Sequence, residues 1–447
     1  MTATSIAAAV RAGDRTATST TLDALERIAS TDPDVGAFRV VRRAAALDEA
    51  AAVDARPDRY ALPLAGVPIA VKDNVDVAGE RISDGLSDAA GAGIGLSEQD
   101  HPVVRRLRAA GAIVVGLTRV PELCLWGATD GPDAITRNPA RPGRTPGGSS
   151  GGSGAAVAAG HVPLAHGNDG LGSLRIPAAA CSLVAIKPGT GVVPAQLGPT
   201  NWLGMAENGP LATTVADAAL GLSVMADRPE LAELGDPAGL RIGLGLNRPI
   251  PTTVAAASVV GAVRAAAAQL SAHGLPVADV RVPYPANPVP LLARWVAAAA
   301  GDADDLIARG ADPALLQPRS RRHIALGRVA ARRGWVRPGP VADLRSRAER
   351  FFADARIDVL VTPTLARGPL PDHRYSARPW LANVLPNVAC APYPGLWNLL
   401  GWPAATVPFR GTGVQLVSRP GGEADLLAVA AVLEAAALLP ASMSPAD

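Results

Sequence analysis

Short apolar runs alternate with helical segments along this whole chain, and that alternation limits the fold more than any other feature. Residues 65–71 read as a buried strand. Residues 103–110 read as a helix that passes through Gly111 into the strand 112–116. Further strands are expected at 162–165, 240–245, 277–282, 357–362, 404–408 and 413–417, with helices at 215–225, 254–273 and 424–437. Residues 21–56 read as two helical segments around the turn signal Asp32-Pro33-Asp34. Residues 136–148 are rich in Pro, Arg and Gly and read as loop, and 151–160 are compatible with a helix. Strands alternating with helices define an α/β fold with a mainly parallel or mixed sheet. Residues 283–340 are helical and arginine-rich, and are expected as an insert or lobe. With no internal repeat and no separating linker, residues 1–447 are expected to form one domain.

Composition narrows the function classes. Charged residues are 18% and hydrophobic ones 48%, which supports a large core rather than disorder. A net charge of +2 with no long basic run gives no basis for a nucleic-acid or anionic-membrane partner. The N-terminal residues lack the pattern of a secretory signal, and no uncharged apolar stretch is long enough to cross a bilayer. The cysteines Cys124, Cys181 and Cys390 are scattered and odd in number. They match neither a disulfide framework nor a metal-ligand spacing and fit a reducing compartment, so the expectation is cytoplasmic.

Of 42 basic residues only Lys72 and Lys187 are lysine. Arginine cannot release its proton in a protein, whereas a lysine can when its surroundings lower its pKa. Lys72 stands in the apolar run Val67-Pro68-Ile69-Ala70-Val71-Lys72, where burial would disfavour its charge. The scarcity of lysine follows from a bias toward arginine; that bias does not account for a lysine inside an apolar strand.

The densest cluster of unusual residues is Gly147-Gly148-Ser149-Ser150-Gly151-Gly152-Ser153-Gly154. A phosphate-binding loop would need a Gly-Lys pair, and the chain has none. A flexible linker is the usual meaning of such a run, but this one is short and flanked by structured segments. A nucleophile elbow fits Gly147-Gly148-Ser149-Ser150-Gly151 formally, yet Arg144-Thr145-Pro146 is no strand, and the six histidines (His101, His161, His166, His273, His323, His373) offer no evident partner. The fourth reading is a catalytic serine in backbone that must approach other chain segments closely. A second serine follows in Gly167-Asn168-Asp169-Gly170-Leu171-Gly172-Ser173. Glycines there let successive amides point into one concavity able to hold an oxyanion, and Ser173 would lie beside it as a nucleophile or, more plainly, as a helix cap before Leu174-Arg175-Ile176.

Together these segments resemble the amidase signature family over most of the chain. The resemblance is strongest in Gly66-Val67-Pro68-Ile69-Ala70-Val71-Lys72-Asp73-Asn74, in Thr145-Pro146-Gly147-Gly148-Ser149-Ser150-Gly151-Gly152-Ser153 and in Gly172-Ser173-Leu174-Arg175-Ile176-Pro177. It implies a single α/β/α fold around a large, mixed, twisted sheet. It also implies a serine–cis-serine–lysine triad, with Ser173 as nucleophile, Ser149 as bridge and Lys72 as base. Backbone amides of Gly170, Leu171, Gly172 and Ser173 would form the oxyanion hole. Ser150, Asp169 and Arg175 would support the site, and Lys187 fits a structural position. The family usually has Gly where this chain has Leu171, which bears on the acyl pocket and the nest. The implied reaction is hydrolysis of a carboxylic amide, with esters as a side substrate, and it needs no metal or organic cofactor. The partner is a small-molecule amide, and a homodimer stays open.

The family also includes the subunit of the Glu-tRNA(Gln) amidotransferase that carries the same signature. In that protein Gln commonly stands at the position of Ile176, and a Thr-Glu-Asn motif lies upstream. Both are missing here, which favours a stand-alone hydrolase over one component of a larger assembly that works with partner proteins. Trp126, Trp202 and Trp397 are the candidate pocket residues, and an apolar or aryl acyl group is expected. A general base working near neutral pH needs a pKa of roughly 7 to 8, against about 10.4 for a free lysine. That difference is worth about 3 to 5 kcal/mol, which burial must supply.

Overall fold

A computed structural model describes residues 1–437. One sheet of eleven strands runs through it: β1 (Phe38–Val41), β2 (Pro68–Lys72), β3 (Ile113–Thr118), β4 (Leu164–Asp169), β5 (Val184–Lys187), β6 (Glu207–Ala212), β7 (Ile242–Gly245), β8 (Val277–Val280), β9 (Val359–Pro363), β10 (Ala404–Phe409) and β11 (Thr412–Ser418). Their spatial order is β1-β3-β2-β4-β6-β5-β10-β11-β9-β7-β8. The sheet is mixed. β3, β2 and β4 are parallel to one another, as are β8, β7 and β9, and the remaining pairs are antiparallel.

Both faces of the sheet are covered, and the strand residues divide between them with a period of two. In β2, Ile69 and Val71 pack into one apolar cluster and Ala70 into the other. In β4 the same split separates Leu164 from Ala165. The second cluster is built largely of small side chains. Ala155 and Ala156 of the helix Gly151–Ala158 and Ala178 and Ala180 of the helix Arg175–Cys181 meet Ala70 and Ala165 there. Small side chains let these two helices lie close to the sheet. The Gly-Ser run is therefore buried structure, not a linker, and no strand precedes it as an elbow would need.

The alternation read from the sequence corresponds to most of these elements, with boundaries moved by a few residues. The turn at Asp32-Pro33-Asp34 is a correction. The helix Ala17–Val35 runs through Pro33 and stops at Gly36, whose φ of 66° ends it in the left-handed region. Pro33 lies in the last turn, and the strand that follows, β1, is a partly exposed edge that carries little periodicity. β4 extends past the expected 162–165 to Asp169, so Gly167, Asn168 and Asp169 are strand, and the turn begins at Gly170. β6 is hidden in the sequence because Asn208, Gly209 and Pro210 read as loop. β5 pairs with β6 only at Leu211 and Ala212, so Pro210 breaks no ladder on that side. The 283–340 stretch holds the helices Val289–Ala308 and Pro318–Arg332 and the start of Gly339–Asp354.

The turn after β4 is held by one buried ion pair. Arg175 Nε donates to Asp169 Oδ2 at 2.8 Å, and neither side chain is exposed. The guanidinium also reaches Gln415 Oε1 in β11 at 2.7 Å and Asn398 Oδ1 at 2.6 Å, and Asn398 donates back to Asp169 Oδ1 at 2.8 Å. Burial alone would raise the Asp169 pKa, but the adjacent Arg175 holds the carboxyl well below the usual carboxylate range. Arg175→Met should therefore leave a buried carboxylate uncompensated and lower stability by about 3 to 5 kcal/mol. Denaturant unfolding measures this, and a loss under about 1 kcal/mol would show that the turn does not depend on the pair.

Candidate active site

β2 and β4 are parallel neighbours, with Ile69 opposite Leu164 and Ala70 opposite Ala165. Their carboxyl ends consequently emerge together, and in open α/β sheets that edge is where crevices form. Lys72 is the last residue of β2, while Asn168 and Asp169 end β4, with Ser173 four residues further on.

Lys72 is fully buried. Its Nζ donates to Ser149 Oγ at 2.7 Å and to Asn168 Oδ1 at 2.5 Å. Burial lowers its pKa, opposed by the nearby Cys124, Asp84 and Asp169. Burial raises Asp84 to about 6 in turn, against the Cys124 thiol and Lys72, which pull it down. Asn168 is itself oriented, since its Nδ2 donates to Asn74 Oδ1 at 2.7 Å. Sequence reasoning misses Asn168, Asn74, Cys124 and Asp84 as members of the site. Asn74 and Asn168 stand inside the signature segments, but nothing local shows that they meet.

Ser149 lies in the tight segment before the helix Gly151–Ala158, after a cis Gly148–Ser149 peptide. Gly148 is required by close approach: a Cβ there would collide with the Trp126 carbonyl oxygen. Ser150 ties the segment to its surroundings. Its Oγ donates to the Asn168 carbonyl at 3.1 Å, and its N–H donates to the Ser173 carbonyl at 3.3 Å. Ser149 and Ser173 line one cavity, but their hydroxyls make no direct hydrogen bond among the described residues. Of the four amides expected as oxyanion donors, Gly172 N–H already donates to Asp169 Oδ1 at 2.5 Å. Those of Gly170, Leu171 and Ser173 have no hydrogen-bond partner among the described residues. The correction is physical: the carboxylate that braces the turn takes one donor of the nest for itself.

Two spaces meet at Ser173. One is an apolar cavity of about 390 Å³, walled by Trp126, Trp202, Trp295, Leu171, Ile176 and Leu291. The other is a small polar chamber of about 50 Å³ on the side of Ser149 and Asn168. Trp126 and Trp202 thus stand where the sequence places them, on the pocket wall. Trp397 does not: it is wholly buried, tilted against Trp402 with ring centroids 6.1 Å apart, as part of the core. Trp295 replaces it, packed edge-on to Trp126 at 6.3 Å. It comes from the 283–340 helices, and its distance along the chain hides it. Leu171 points into the apolar cavity as one of its walls. Among the described residues no histidine lines either space. No helix there is long and apolar enough to cross a membrane.

Comparison with known proteins identifies the family and the fold. The Amidase family profile matches residues 19–427. "Putative amidase AmiB2" of Mycobacterium tuberculosis is 41% identical over 430 residues, covering 92% of this chain and 91% of that protein. A glutamyl-tRNA(Gln) amidotransferase subunit of Chloroflexus aurantiacus is 34% identical over 481 residues, covering 96% of this chain and 95% of that protein. The solved structure of 6-aminohexanoate cyclic dimer hydrolase superposes with a TM-score of 0.85 at 28% identity, covering 98% of this chain and 97% of that one. A profile match across nearly the whole chain, on a shared fold, makes this protein a member of the amidase family.

Proposed function

We propose that this chain is a stand-alone amidase that hydrolyses carboxylic amides of apolar or aryl acids through an acyl-enzyme on Ser173. The observation that carries the reading is the buried Lys72 amine bonded to Ser149 Oγ at 2.7 Å, in the cavity that Ser173 also lines. A desolvated amine that donates one proton to Asn168 and meets a hydroxyl at a second position is suited to accept a proton from that hydroxyl. In the proposed reaction Lys72, neutral, draws the proton of Ser149, which draws that of Ser173. The Ser149–Ser173 hydrogen bond is expected to form in the substrate complex, since catalytic hydrogen bonds are often long in the free enzyme and tighten once substrate is bound. Ser173 Oγ attacks the carbonyl carbon, and the free amides of Gly170, Leu171 and Ser173 stabilise the oxyanion. The leaving nitrogen takes its proton from Ser149, and water then releases the acid by the same route.

The apolar cavity supports an apolar acyl group, and Ile176 on its wall supports a stand-alone hydrolase over an amidotransferase component. The cytoplasm suits a chain whose cysteines Cys124, Cys181 and Cys390 are buried and unpaired.

Four measurements test the reading. A fluorophosphonate probe should label Ser173 and leave Ser173→Ala unlabelled; a well-folded protein that takes no label would refute the acyl-enzyme. Lys72→Arg keeps the charge but cannot act as a base, so kcat/KM should fall about 10²- to 10⁴-fold, and near-normal turnover would refute the neutral-amine argument. Ser149→Ala should fold normally and lose rate by a similar factor; a mild loss would make Ser149 structural. The pH profile carries a definite sign. The base works unprotonated, so kcat/KM falls on the acid side as Lys72 takes up a proton, at a pH below that of a free lysine.

A further inference from the structure

The apolar cavity accounts for the acyl half of a substrate and leaves the polar chamber unexplained. The chamber lies on the leaving-group side: Ser149, the proton donor to the departing nitrogen in the proposed reaction, lines it and does not line the apolar cavity. Its wall carries Asp84, which lies near Lys72, and also Asp302 and Asp305, with Arg309 as the one cation among its lining residues. Arg309 is itself engaged by Asp76 at 3.3 Å. The three carboxyls do not converge as a metal-ligand set among the described residues.

Asp302 is the informative member. The residue is 7% exposed, and its Oδ1 is buried with no hydrogen-bond partner among the described residues. Gly198, also on the chamber wall, makes room for it: a Cβ there would collide with Asp302 Oδ1. Oδ1 itself is sealed against Gly198, but the carboxyl as a whole lines the chamber with no cation bonded to it among the described residues, so a donor that enters the chamber can satisfy it. Burial raises Asp302 to about 8, and Asp84 and Asp305 add to the effect while the Trp202 indole tempers it. That is the signature of a carboxyl lacking a counter-charge. A volume of about 50 Å³ restricts the chamber to a short group, since a water alone takes up about 30 Å³.

We propose that this chamber binds the leaving half of the substrate and selects a short amine that carries a second, protonated nitrogen, so that preferred substrates are mono-acylated short diamines of apolar acids. This rests on the amidase reading above. The covalent step is unchanged: the C–N bond breaks, the departing nitrogen takes the proton from Ser149, and the diamine leaves through the chamber with its distal ammonium on Asp302.

The test compares the aminoethyl amide and the propyl amide of phenylacetic acid, which share size and differ in the terminal ammonium. Assays run at a pH of about 8.5, above the range of Asp302 and below that of an alkylamine. The expected kcat/KM ratio is about tenfold or more in favour of the aminoethyl amide, and Asp302→Asn should bring it close to one. Independently of turnover, calorimetry should detect propylammonium chloride binding to Ser173→Ala, and the added Asp302→Asn should abolish it. Hydrolysis of both amides at equal rates, with no propylammonium binding, would overturn the chamber assignment and leave the amidase reading standing. Hydrolysis of neither amide, with Asp302-dependent binding of propylammonium intact, would overturn the apolar-acid amidase reading and diamine substrates with it.

Discussion

An amine taken out of water at the end of a strand is the constraint from which the rest of this site follows. Lys72 has no solvent exposure, and its two side-chain partners are a hydroxyl and an amide oxygen, neither of them charged. Burying a cation without an adjacent anion is expensive, and the group responds by favouring its neutral form. Of the groups that oppose this, Cys124, Asp84 and Asp169, Asp84 is itself pushed up by burial to about 6 and accepts a hydrogen bond from the Cys124 thiol. Two parallel strands make the arrangement rigid. β2 and β4 share a register that delivers Lys72 and Asn168 to one edge, so the amine is oriented by the sheet and not by a mobile loop.

Around that amine the molecule separates two kinds of surface. The apolar cavity is walled by Leu171 and Ile176 of the signature region together with helices far from it in sequence, while the polar chamber carries carboxyls from residue 84 and from the helix Val289–Ala308. Ser173 sits where they meet. Its position depends on the Asp169–Arg175 pair, whose hydrogen bonds extend to β11 and to the helix Gly395–Leu400. The brace has a chemical consequence, because the Asp169 carboxylate occupies the Gly172 amide, while those of Gly170, Leu171 and Ser173 have no partner among the described residues.

The legible parts of the fold are those with strong local patterning. β2, β3 and β7 are continuous apolar runs, and each is readable because a strand buried on both faces needs them. β6 is not readable, since Asn208, Gly209 and Pro210 are acceptable there only because of what lies on either side. β1 escapes for the opposite reason: an edge strand half open to solvent has little pattern to show. In the site, Lys72, Ser149 and Ser173 stand out by residue type and motif. Asn398, Gln415, Trp295 and Asp302 do not, because each is an ordinary residue in an ordinary segment until the chain folds. Trp397 shows the converse: a tryptophan in a promising segment fills the core instead.

The sequence by itself determined the chemistry on offer: one lysine in an apolar strand, two serines among glycines, and an alternation that commits the chain to a sheet covered on both faces. These are properties of residue type and spacing, and they survive without coordinates. Only the tertiary structure decided what surrounds that chemistry. Which amides stay free, which tryptophans face the cavity and where the Asp302 carboxyl is left without a cation all depend on contacts between segments far apart in the chain. Such contacts are set by the packing of whole elements, and no local pattern encodes them.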